Sequence, residues 1–180
     1  MSSAMAAGPA IGQKLPPGMT MHRIQAGEPD ASGWMVAAST EGGFSVRMPI
    51  KFNDFTLAES DPKAAALRTY TVGAKSQEGI RISATRIAYR KGAESARHFF
   101  SRFEKGLDLG STPQLVKPHS VGERQAVDLV LKRKSGVAYQ RIVLLESDLV
   151  LLSIESPQEH EPTVQKIAAS FFDSLKITVK

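Results

Sequence analysis

The most concentrated charge in this 180-residue chain is Lys132-Arg133-Lys134, set between an alternating apolar stretch and the turn signal Ser135-Gly136. Three consecutive cations at a turn can meet a phosphate or an acidic protein surface, each contact adding salt-dependent affinity. Arg124 and Arg141 lie on the flanking stretches, where a hairpin could bring them to the same patch. Trp34 adds an aromatic of the kind that anchors protein interfaces. Lys132, Arg133, Lys134, Arg124, Arg141 and Trp34 are therefore the candidate partner surface. The triplet has a second reading, as a solubilising turn that guards strand edges against pairing. Phe52 and Phe55 join Trp34 near the opening hairpin, and these aromatics either face a partner from loops or close the bottom of the core.

Other chemistry is sparse. No two of His22, His98, His119 and His160 have metal-ligand spacing, and His160-Glu161-Pro162 lacks the second histidine of a zinc-protease helix. His98, beside Phe99 and one turn from Glu94 and Arg102, reads as a helix-surface residue rather than a base. No serine occupies a Gly-x-Ser-x-Gly elbow. The glycines at 42, 43, 106 and 110 read as turns and helix ends rather than a phosphate loop. Glu104 and Asp108 are at helical spacing and simply solvated. The absence of cysteine removes disulfides, thiolate nucleophiles and thiolate metal sites together. No cofactor is expected, and the chain reads as a non-enzyme.

The net charge is +5 and the pI near 9.6. Before Phe44 only Lys14 and Arg23 stand against Glu28, Asp30 and Glu41, so the basic surplus belongs to the later residues. The aromatics follow apolar stripes instead of interleaving with basic residues, which argues against nucleic acid as the partner. A composition of 42% hydrophobic and 23% charged residues is that of a globular domain. No run approaches the roughly 18 to 20 apolar residues of a membrane span. Ala4-Met5-Ala6 has the small-residue look of a signal-cleavage region, and equally that of a vector scar.

These residues must be positioned by a scaffold that the sequence outlines. Residues 1–32 hold Gly8-Pro9, Pro16-Pro17-Gly18 and Glu28-Pro29-Asp30 without a sustained period, and read as a flexible leader before a single domain at 33–180. The run 34–39, the turn Glu41-Gly42-Gly43 and the alternation Phe44, Val46, Met48 form a hairpin that opens the domain. Residues 55–58 are a weak strand candidate. Residues 67–74 and 80–89 flank Gln77-Glu78-Gly79 as a second hairpin. Ala96, Phe99, Phe100, Phe103 and Leu107 stripe one face of a helix, with Gly106 or Gly110 ending it. Residues 112–121 contain two prolines and are at best an edge strand. Residues 125–131, 137–145 and 149–154 then give three adjacent antiparallel strands. Val164, Ile167, Ala168, Phe171 and Leu175 stripe a final helix, with Ser156 or a following polar residue as its cap and Pro162 in its first turn. The sum is an α+β fold: an antiparallel sheet of about six to eight strands with helices packed on its faces.

Three pieces of this order carry a family resemblance. They are Gly42-Gly43-Phe44-Ser45-Val46-Arg47-Met48-Pro49 at the entry, the helix around Phe99 to Phe103, and Ala168-Ala169-Ser170-Phe171-Phe172-Asp173-Ser174-Leu175 at the exit. Together they resemble the PsbP-like family, which also takes in DcrB-like bacterial lipoproteins and a Ran-binding nuclear import factor of the same fold. The resemblance implies an α/β/α sandwich, export to a bacterial periplasm or envelope, and action by binding another protein rather than by catalysis. It supplies no catalytic residues. The chain lacks the lipobox cysteine of the lipoprotein members. The expectation is a protein-binding or accessory module of the cell envelope; the alternative is a small-ligand carrier with a cavity between sheet and helix.

Overall fold

Alternation of apolar and polar residues dictates most of the strands seen in the computed structural model, which describes residues 14–107, 109 and 111–178. The strands are β1 (Met19–Ala26), β2 (Met35–Ala38), β3 (Phe44–Met48), β4 (Phe52–Ala58), β5 (Ala66–Lys75), β6 (Arg81–Tyr89), β7 (Leu115–Val121), β8 (Arg124–Arg133), β9 (Gly136–Leu144), β10 (Asp148–Ser156) and β11 (Lys176–Ile177). Two helices, α1 (Ala93–Glu104) and α2 (Glu161–Asp173), complete the described elements, with a 3-10 turn at Gln158–His160 leading into α2.

Eight strands form one antiparallel sheet in the order β1-β4-β5-β6-β10-β9-β8-β7, and β11-β3-β2 form a second, small sheet. Because side chains alternate, each central strand feeds two cores. Val127, Leu129, Leu131, Ala138, Ile142 and Leu149 meet Ala96 and Phe100 of α1 on one face. Val143, Val150, Leu152 and Ile154 meet Val164, Ala168 and Phe171 of α2 on the other, together with Phe44, Val46 and Met48 of the small sheet. The fold is thus α+β in three layers, with helices on both faces of an antiparallel sheet. Buried side chains lie between the sheet and each helix, where the carrier alternative would need its cavity.

Several expectations change. Met19–Ala26, placed by sequence in the leader, pairs with β4 at the edge of the main sheet. Its alternation is broken by irregularities after Met21 and after Arg23, which let consecutive polar residues His22 and Arg23 reach partners on β4. The domain is therefore not opened by the β2–β3 hairpin, and that hairpin sits in the small sheet. The remaining leader features, including Ala4-Met5-Ala6 and Gly8-Pro9, lie outside the described residues. Leu107 leaves the α1 stripe and is 45% exposed, because Gly106 at φ +65° ends the helix. There Gly106 N–H donates to Phe103 O and Leu107 N–H to Arg102 O, the paired bonds of a Schellman cap. Asp108 and Gly110 lie outside the described residues. Ser156 does not cap α2: it ends β10, and His160 precedes the helix without a side-chain cap bond.

Candidate functional site

The β8–β9 turn places the basic triplet. Arg133 pairs with Gly136 in the register, leaving Lys134-Ser135 as a two-residue loop. Gly136 has φ +146°, and a Cβ there would lie 2.0 Å from Ser156 O, so glycine alone lets the turn close against the end of β10. Beneath the turn is an open cleft of about 320 Å³. Its walls come from Gly79 and Arg81 at the start of β6, Arg133 and Ser135 with the start of β9, and residues 155–157 at the end of β10. Arg133 Nη2 donates to Leu109 O at 3.2 Å, which ties the guanidinium to the rim of the α1 face. Ser156 is 6% exposed, and its buried Oγ has no hydrogen-bond partner.

Strand alternation splits the triplet. Arg133 shares a side of β8 with Leu129 and Leu131, facing α1, whereas Lys132 turns to the α2 side and sets Nζ 3.2 Å from Glu161 Oε1. Lys134 is exposed at the tip. The remaining candidates lie elsewhere. Arg124 starts β8, nine residues from Arg133 and so roughly 30 Å away at strand rise. Trp34 is half-buried before β2, under the Arg47 guanidinium at 5.8 Å. Phe52 and Phe55 are core residues of β4, at 1% and 0% exposure.

Arg141 is held in a separate network. Its Nε and Nη2 bind the two oxygens of Asp128 at 2.8 and 3.0 Å, and Nη1 binds Asp173 Oδ1 at 2.8 Å. The guanidinium also lies 5.3 Å from the Phe172 ring centre. Burial alone would raise the Asp128 carboxyl, but hydrogen bonds from Arg141 and then His119 outweigh it and hold the group below its ordinary value of 3.8. His119 Nε2 stands 2.9 Å from Asp128 Oδ1 and its Nδ1 3.2 Å from Ser120 O. Both ring nitrogens thus face acceptors within the network, which clasps β7, β8, β9 and the end of α2.

His22 lies 2.9 Å from Thr56 Oγ1, and His98 is exposed on α1 with its ring edge toward Phe99. Among the described residues no group of three His, Asp or Glu side chains could hold a metal ion, and no helix is long and apolar enough to cross a membrane. Sequence reasoning missed Arg81, Gly136, Glu155 and Ser156 as cleft residues. The Ser135-Gly136 turn signal pointed at one wall, but the other walls join it only through strand register.

No family model matches the chain, and no curated protein matches it. Among solved structures, the fold is similar to that of cyanobacterial PsbP (CyanoP) from Synechocystis sp. PCC 6803, determined in solution. The TM-score is 0.51 at 7% sequence identity, over 84% of this chain and 96% of that one. The fold is PsbP-like, with the eight-stranded antiparallel sheet and two helices described above.

Proposed function

We propose that this chain is a noncatalytic binding or accessory module that engages another protein through the basic end of its main sheet, in the envelope or periplasm of a bacterium. The observation that carries the reading is the position of the triplet. The two-residue turn between β8 and β9 leaves Arg133 and Lys134 exposed beside an open cleft, on a scaffold with a packed core on each face of the sheet. Positive charge on a stiff hairpin favours association with an acidic partner, at a rate that falls with ionic strength. The PsbP-like fold supports a binding role. The single domain beginning at residue 33 is revised in this proposal to begin no later than β1, since β1 completes the main sheet.

The test is affinity capture from the source organism's envelope fraction with the full chain, beside a variant carrying Lys132→Glu, Arg133→Glu and Lys134→Glu. The expected result is a protein enriched by the wild type, cross-linked at Lys134, and lost with the variant. Capture that is unchanged by the reversal, or a co-purifying small molecule with no protein, overturns the reading.

A further inference from the structure

The three cations of the β8–β9 turn are not equally free. Lys134 is exposed at the tip, whereas Lys132 leaves β8 on the opposite side from Arg133 and sets Nζ 3.2 Å from Glu161 Oε1. The pair is open to water, with the Lys132 side chain 40% exposed and that of Glu161 21%. The same Oε1 accepts the Tyr139 hydroxyl at 3.2 Å. Tyr139 stands two residues beyond Val137, the register partner of Lys132, and so shares its side of the sheet. Burial first, then the hydrogen bond to Glu161 and its charge, raise the Tyr139 hydroxyl above its ordinary value of 10.0, which keeps it a donor to that carboxylate.

Glu161 thus does to Lys132 what an acidic partner would do. It opens α2, where free backbone N–H groups and the helix dipole favour a carboxylate, and no side chain caps this end. When Lys132 leaves, Glu161 keeps both the Tyr139 hydroxyl and the helix terminus. Lys132 gives up its counter-ion on leaving and regains one only where an acidic group waits beside Lys134. An ion pair open to water is a weak latch, so one carboxylate can exchange for another at this lysine.

We infer that Glu161 is an internal counter-ion that holds Lys132 out of the partner surface, and that an acidic protein partner engages the whole triplet only by displacing it. This rests on the binding reading above and adds to it a built-in competitor. Arg133 and Lys134 make the first contact, and Lys132 joins them on release. The exchange is reciprocal, so removing Glu161 must strengthen the partner by the factor that the partner weakens the Lys132–Glu161 pair.

The isotope-labelled full chain is titrated at low ionic strength with a blocked hexaglutamate peptide and with its glutamine analogue, following the amide signals of Lys134, Gly136 and Glu161 by NMR. The glutamate peptide is expected to shift all three saturably, the Glu161 signal reporting the release of Lys132, and the glutamine peptide to leave them in place. Glu161→Gln should tighten binding about threefold, the scale of a solvent-open pair. Glu159→Gln removes the same charge from an exposed neighbouring position and should tighten it clearly less. In a Lys132→Gln background, Glu161→Gln should do no more than the Glu159 control, since the pair it breaks is already gone. Equal gains from Glu161→Gln and Glu159→Gln, a gain that persists without Lys132, or saturation of the turn signals with Glu161 unmoved overturns the inference and leaves the binding reading standing. Turn signals that fail to shift in the wild type and in Glu161→Gln alike, or that respond equally to both peptides, fell the reading itself and the inference with it.

Discussion

Arg23 on β1 covers the carboxylate of Asp54 on β4: Nε and Nη2 donate to Oδ2 at 3.1 and 2.9 Å, and Asp54 is fully buried. The same oxygen accepts Thr40 N–H at 3.0 Å and the Thr40 hydroxyl, while Arg23 also donates to Ala38 O. One carboxylate thereby fastens the edge strand of the main sheet to the β2–β3 turn of the small one. A buried charge without this arrangement would be strongly unfavourable.

Arg23→Ala should therefore destabilise the protein by about 2 kcal/mol, the order expected when a buried charged acceptor loses its principal donors but keeps others. The loss is moderated because Thr40 stays in place and Arg23 is partly exposed. Urea denaturation of the full chain measures it. A midpoint within error of the wild type would show that Arg23 does not hold β1 in the sheet.

Asp128 gives a pH signature. Its folded pKa lies below the ordinary value of 3.8, with burial opposing the shift and Arg141 and His119 producing it. A depressed carboxylate contributes stability that is fully present above its unfolded value and disappears as pH falls through the folded one. Asp128→Asn should thus cost about 2 kcal/mol at pH 7, with the gap from wild type narrowing below the ordinary carboxylate value. Denaturation at neutral and acid pH checks the sign. A gap that is constant with pH would mean that the Asp128 charge carries none of the stability.

Much of this fold is legible because burial repeats with the period of the element. Phe44, Val46 and Met48 are buried and alternate with Ser45 and Arg47. Val164, Ala168 and Phe171 are buried at helical spacing. β1 is not legible that way, since its key contacts are polar and local irregularities interrupt its alternation. Nor is the third strand of the small sheet, where Lys176–Ile177 pairs with Ser45 and Phe44 more than a hundred residues away in sequence. The basic triplet can be read directly, but the alternation that sends Lys132 to Glu161 and Arg133 toward the cleft follows from register. Arg124 and Arg141 show the converse: both are near the triplet in sequence, yet Arg124 starts β8 at its far end and Arg141 is bound to Asp128 and Asp173.

Phe171 tests the helix register. It is fully buried where α2 meets the main sheet and the small sheet, and its ring lies 5.6 Å from that of Phe172. Phe171→Ala removes most of a buried ring and should cost about 3 to 5 kcal/mol by chemical denaturation. Unchanged stability would sink the α2 packing described above.

Gly136 fixes how the β8–β9 turn closes against β10. At φ +146° with Ser156 O 2.0 Å from the site of a Cβ, any side chain must push the β8–β9 turn away from β10, because the obstructing atom is backbone and cannot rotate aside. Strain of this kind costs about 2 kcal/mol or more. Gly136→Ala should therefore lower stability by that amount, although it changes no charge and removes no side chain. Chemical denaturation of the full chain measures it. Stability equal to the wild type would show that the β8–β9 turn does not close against the Ser156 carbonyl, because that carbonyl leaves no room for a Cβ.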